Sequence, residues 1–112
     1  MLFRSAVITP LANEAACMAE FAAALGRQLD AFPGGAVFLV VDRASTDATP
    51  GLCEALSSTD SRFRTVWAPE NRHVVDAYLR GYREALQSGA EYVLEIDGGM
   101  SHDPAEIGRA HV

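Results

Sequence analysis

The chain has 112 residues, a net charge of −6, 49% hydrophobic and 21% charged residues, a balance that excludes disorder and fits one small domain with a buried core. All nine basic residues are arginines and they are scattered, so no basic stripe marks a nucleic-acid surface, although single arginines can still meet a phosphate. No apolar run approaches the roughly 20 residues of a membrane span, and Met1-Leu2-Phe3-Arg4-Ser5 lacks the basic start and apolar centre of a signal peptide, so a cytoplasmic protein is expected.

Ala6-Val7-Ile8 predicts a first strand within residues 3–9, stopped by Pro10, after which Asn13 is placed to cap a helix. Ala15, Met18, Ala22, Leu25 and Leu29 recur at three- and four-residue intervals and give that helix one apolar face, ended by Pro33-Gly34-Gly35. Ala36-Val37-Phe38-Leu39-Val40-Val41 is apolar throughout, as in a parallel strand covered on both faces, and it closes on Asp42. Ser45-Thr46-Asp47 and Thr49-Pro50 offer two overlapping helix starts, followed by a short apolar stripe of Leu52, Cys53 and Leu56. Cys17 and Cys53 fall in predicted helices with no further thiol or histidine at metal spacing, so both are expected as small buried residues.

Residues 62–67 predict a third strand whose polar content puts it near a sheet edge. In the helix predicted from Val74 to Gln87, Val75, Tyr78, Leu79, Tyr82 and Leu86 form the core face. Asp76, Arg80 and Glu84 line the other face, and Gly89 is the stop. The last strand, residues 91–97, delivers Asp97 into Gly98-Gly99-Met100-Ser101-His102-Asp103-Pro104, where flexible glycines adjoin a carboxylate. Glu95 shares a strand face with Asp97 and needs a partner that the sequence does not name.

The order β-α-β-α-β-α-β predicts an α/β domain of three layers, α/β/α, around a mainly parallel sheet. Ligands of such sheets sit beyond the carboxyl ends of the strands, so Asp42 and Asp97 could share one crevice suited to a nucleotide or a metal; a lone strand-ending Asp more often caps a turn. Pro10-Leu11-Ala12-Asn13 stands where a dinucleotide fingerprint would begin, and no Gly-Lys-Ser/Thr phosphate loop occurs. Pro104-Ala105-Glu106 looks like the start of another helix. Residues 106–112 match one reading frame of a widely used sequencing-adapter oligonucleotide, so residues 1–105 are expected to be a partial native domain and residues 106–112 a non-native tail.

Pro10-Leu11-Ala12-Asn13-Glu14, Val41-Asp42-Arg43-Ala44-Ser45-Thr46-Asp47-Ala48-Thr49, Glu70-Asn71-Arg72 and the segment from Glu95 to Pro104, in this order, resemble the inverting family 2 glycosyltransferases up to Glu106. The Glu-x-Asp-x-x-x-Ser-His-x-Pro segment is most similar to polyprenol-phosphate mannosyltransferases and related enzymes with a lipid-phosphate acceptor. The resemblance implies the N-terminal half of a GT-A fold, binding a UDP- or GDP-linked sugar with a divalent cation, Mg2+ or Mn2+. Carried over by position, Pro10 and Glu14 would line the base and ribose pocket, and Asp42 would accept a hydrogen bond from a ring N–H of uracil or guanine. Asp97 would hold the D-x-D position, anchoring the ribose or the cation.

Gly99 stands where the second D-x-D acid is expected, which leaves His102 and Asp103 as nearby candidates to support Asp97 in metal binding, while His102 with Ser101 could equally serve to orient the loop. Ala12 replaces an expected aromatic, Arg43 an expected acid, and His73 and Val75 expected glycines. The general base of such enzymes lies in their second half, beyond Val112, so the catalytic residue is unknown and the fragment alone is expected to be inactive. The full-length protein would work at the cytoplasmic face of a membrane. Two other classes remain compatible: a non-catalytic nucleotide-binding module, which the missing acid would allow, and a nucleotidyltransferase, whose usual glycine-rich loop and basic residue are not evident after Ile8.

Overall fold

The computed structural model describes residues 4–31 and 33–98. Among them the chain runs β1 (Ser5–Leu11), a 3-10 turn (Ala15–Cys17), α1 (Met18–Ala31), β2 (Gly35–Val41), α2 (Thr49–Thr59), β3 (Phe63–Trp67), α3 (Val74–Gln87) and β4 (Tyr92–Glu95). All strand pairs are parallel, in the order β3-β2-β1-β4. The expected three-layer α/β/α arrangement is present, and β3 is the edge strand its polar residues predicted.

The continuous apolar run of β2 is divided between two cores by the two-residue period of a strand. Val37, Leu39 and Val41 join Val7 and Leu11 under Phe21, Leu25 and Leu29 of α1 and Cys53 of α2. Phe38 and Val40 join Ala6 and Ile8 under Ala77 and Ala85 of α3. Successive crossovers from β1 to β2 to β3 keep one hand and put α1 and α2 on the same face; the return from β3 past β1 to β4 puts α3 on the opposite face. The chain therefore reverses its direction of travel across the sheet at β1 and β4, and a crevice opens at their carboxyl ends.

Several local expectations are corrected. Pro10 does not stop β1, which continues to Leu11 with Pro10 opposite Val40 of β2. The Arg4 and Ile8 carbonyls accept hydrogen bonds from the β4 side, so by period two Pro10 turns its N–H-less nitrogen that way, beyond the last β4 pair, and no bond to β2 is lost. Asn13 is not a helix cap: it sits at a left-handed φ of 56°, which Asn tolerates, and its side chain reaches another loop. The buried face of α3 is Ala77, Gly81 and Ala85, flanked by half-buried Tyr78 and Tyr82, while Val75, Leu79 and Leu86 are exposed. Small residues are required there because the helix lies close to the sheet; a β-carbon on Gly81 would stand 2.2 Å from Cγ2 of Ile8. On α1, buried Phe21 joins Met18, Leu25 and Leu29, whereas Ala22 is only partly covered, as is Ala15 in the 3-10 turn before it. On α2, Cys53 is buried and Leu56 half-buried, but Leu52 is exposed. Cys17, expected to be buried, is also only partly covered.

Candidate functional site

Each strand end supplies a different part of the crevice. Asp42 follows β2, and both its carboxylate oxygens are engaged. The Ala44 N–H donates to Oδ1 at 2.9 Å, and Asn71 Nδ2 donates to Oδ2 at 3.1 Å. The first bond is a local turn; the second comes from the loop after β3, itself anchored by the Asn71 N–H on the Ala68 carbonyl and the Ala68 N–H on the Val41 carbonyl. These two bonds fix the direction of the carboxylate and make it a preorganised acceptor.

The segment after β1 is fastened to the segment after β2 through consecutive backbone donors. The N–H groups of Asn13, Glu14 and Ala15 donate to Ser45 Oγ (3.0 Å), Thr49 Oγ1 (2.9 Å) and Asp47 Oδ2 (3.2 Å). The Asn13 side chain returns the connection, donating to the Ala44 carbonyl and accepting from the Thr46 N–H. Asp47 also accepts from the Thr49 hydroxyl at 2.6 Å and the Thr49 N–H at 2.9 Å, and these bonds, the hydroxyl first, hold its carboxyl below the usual carboxylate range. Asp47 therefore serves the starts of two helical segments, and Glu14 is fixed at the crevice by its backbone.

Asp97 follows β4 and accepts a 2.6 Å hydrogen bond from the Tyr78 hydroxyl of α3. Burial, with this bond and the neighbouring carboxylates, pushes the Tyr78 phenol up to about 12. Tyr82 makes the matching bond to Glu95, the partner that the sequence left unnamed, and that bond raises the Tyr82 phenol. Gly98 is buried, and a β-carbon there would stand 2.8 Å from the Pro10 carbonyl and 2.3 Å from Leu11 Cδ2. Its glycine answers to close packing of two strand ends, which corrects the expectation of a freely flexible residue.

A cavity of about 520 Å3 lies at these strand ends. Pro10, Glu14, Asp42 and Asp97, the four positions singled out from the sequence, all line it, as do Ala12, Asn71, His73 and Tyr78. Arg43 is exposed and does not line it, and Val75 lies on the exposed face of α3. His102, Asp103, the helix expected after Pro104 and the segment 106–112 lie outside the described residues. No group of three or more His, Cys, Asp or Glu side chains that could hold a metal ion occurs among the described residues. A cation site made by these residues alone therefore does not fit, whereas one completed by oxygens of a bound diphosphate fits the position of Asp97.

Sequence reasoning missed Asn71 and Tyr78 as site residues. Asn71 belonged to a recognised motif, but its link to Asp42 spans 29 positions. For Tyr78 a signal existed: two tyrosines one helical turn apart, facing two acids two residues apart on the next strand. Those spacings are about 6 Å and about 6.6 Å along their elements and so can form matching rungs.

A family model described as glycosyl transferase family 2 matches residues 6–110. An undecaprenyl-phosphate mannosyltransferase from Micrococcus luteus is 33% identical over 85 residues, covering 76% of this chain and 35% of that protein. A mannosyltransferase from Pyrobaculum calidifontis, solved in complex with GDP-Man and Mn2+, superposes with a TM-score of 0.61 at 26% identity, covering 75% of this chain and 25% of that one. The chain thus spans about a third and a quarter of the lengths of these relatives, and its sheet has the arrangement of the N-terminal part of a GT-A fold. On the extent of the family match and the shared fold, the chain belongs to glycosyl transferase family 2.

Proposed function

We propose that this chain is the donor-binding part of an inverting glycosyltransferase that moves a sugar from a nucleoside diphosphate to an acceptor, with a polyprenyl phosphate as the acceptor. One observation carries the reading: a single cavity at the carboxyl ends of β1, β2 and β4 gathers Pro10, Glu14, Asp42 and Asp97. The GDP-Man bound by the Pyrobaculum relative and the acceptor named for the Micrococcus relative support it.

Asp42 accepts the ring N–H of guanine or uracil, held in place for that purpose by Asn71 and the Ala44 N–H. Pro10 and Glu14 form the wall against base and ribose. Asp97 holds a divalent cation together with the diphosphate oxygens, or the ribose itself. When bound, that cation supplies Lewis-acid stabilisation of the charge left on the departing nucleoside diphosphate. The protein's own part is to orient the donor so that its anomeric carbon is open to the acceptor, and no general base is assigned among the described residues.

Calorimetric titration with GDP and UDP, each with Mn2+ and with a chelator, tests the reading. Binding should be micromolar to millimolar and stronger with Mn2+, and Asp42→Ala should weaken it by about 1.5–3 kcal/mol, the range for a hydrogen bond to a charged group. Unchanged affinity in a folded Asp42→Ala variant would remove Asp42 from the base pocket.

A further inference from the structure

Glu95 and Asp97 point to the same side of β4, toward α3, and each is met there by a phenol: Tyr82 donates to Glu95 and Tyr78 to Asp97. The two rungs are chemically alike but differ in place. Tyr78 and Asp97 line the cavity, whereas Tyr82 and Glu95 do not. A rung that serves only to dock α3 on β4 has no reason to face the ligand space. The carboxylate it holds lies immediately beside buried Gly98, whose backbone packs closely against Pro10 and Leu11.

We infer that Tyr78 is a positioning residue for Asp97, setting the direction in which that carboxylate meets a cation shared with the donor's diphosphate. The inference rests on the nucleotide-sugar reading of the cavity. Its chemistry follows from the kind of partner chosen. An arginine at position 78 would orient Asp97 equally well but would cancel its charge and compete with the cation. A neutral phenol gives direction without bringing a positive charge of its own. Carboxylates that ligate metals are commonly held by such outer partners, whose loss lowers metal affinity about 10–100-fold.

The test compares wild type, Tyr78→Phe and Tyr82→Phe by calorimetric titration with GDP, in Mn2+ and in chelator, with folding checked by circular dichroism. The quantity read is the factor by which Mn2+ tightens GDP binding. That factor should fall about tenfold or more in Tyr78→Phe and keep its wild-type value in Tyr82→Phe. An unchanged factor in Tyr78→Phe, or an equal fall in Tyr82→Phe, overturns the positioning role, because a purely structural rung would act alike at both places. Wild type that binds GDP without help from Mn2+ also overturns it while leaving the nucleotide site intact; wild type that binds no GDP overturns both. Should Tyr78→Phe not fold, paramagnetic broadening in wild type decides: bound Mn2+ and GDP should broaden the Tyr78 ring resonances before those of Tyr82, and equal broadening overturns the inference.

Discussion

Asp47, Asn13 and the two tyrosines show how single side chains complete what backbone geometry leaves open. Asp47 meets donors from its own helix start and from the segment after β1, and Asn13 accepts a left-handed backbone in order to face a loop more than thirty positions away. Tyr78 carries a testable alkaline signature. Its phenol is raised to about 12 in the fold, against about 10 in an unfolded chain. Between those values the unfolded chain binds fewer protons than the native one, so this contribution is complete below pH about 10 and is lost as pH rises toward about 12. Urea denaturation from pH 9 to 12 should show stability falling with pH in wild type and falling less in Tyr78→Phe. Parallel curves for the two proteins would mean that the phenol titrates alike in both states.

Helix α3 illustrates how an element's periodicity can be right and its buried face wrong. Its larger apolar residues, Val75, Leu79 and Leu86, are exposed, and the stripe of Ala77, Gly81 and Ala85 is buried, because the sheet approaches too closely for anything larger. Two substitutions separate helix propensity from packing. Gly81→Ala would gain about 1 kcal/mol in an open helix, but here it drives a methyl into fully buried Ile8, and overpacking of that kind costs about 1–3 kcal/mol. The net effect expected in chemical denaturation is a loss of stability. Leu79→Gln, on the exposed face, should stay within about 0.5 kcal/mol of wild type. A Gly81→Ala variant more stable than wild type would show that α3 sits farther from the sheet than described.

At the scale of the whole molecule, β1 is the strand on which the fold depends, since it is paired on both sides and contributes to both cores. β3 lies at an edge and exposes Trp67 on the α2 side of the sheet and Arg64 on the α3 side, the latter stacked 5.5 Å above the Phe38 ring. Backbone amides that open only on global unfolding should therefore cluster in β1 and in β2, which is paired on both sides as well. Hydrogen exchange followed by NMR should find Val7, Val37 and Leu39 among the slowest amides, with those of β3 faster. Protection of β3 equal to that of β1 would contradict the strand order.

The order of elements, the parallel three-layer class, the edge position of β3 and the strand ends bearing Asp42 and Asp97 were legible in the chain itself. Each follows from local pattern: an apolar run covered on both faces, a helical repeat, or an acid closing a strand. The contacts that build the site join residues far apart in sequence: Tyr78 to Asp97 across 19 positions, Asp42 to Asn71 across 29, Glu14 to Thr49 across 35. Local pattern cannot specify such pairs, because it says which side of an element is apolar and not how close the next element comes. That distance decided that α3 buries its small residues, that Gly98 must be glycine, and that two phenols rather than bulk solvent meet Glu95 and Asp97.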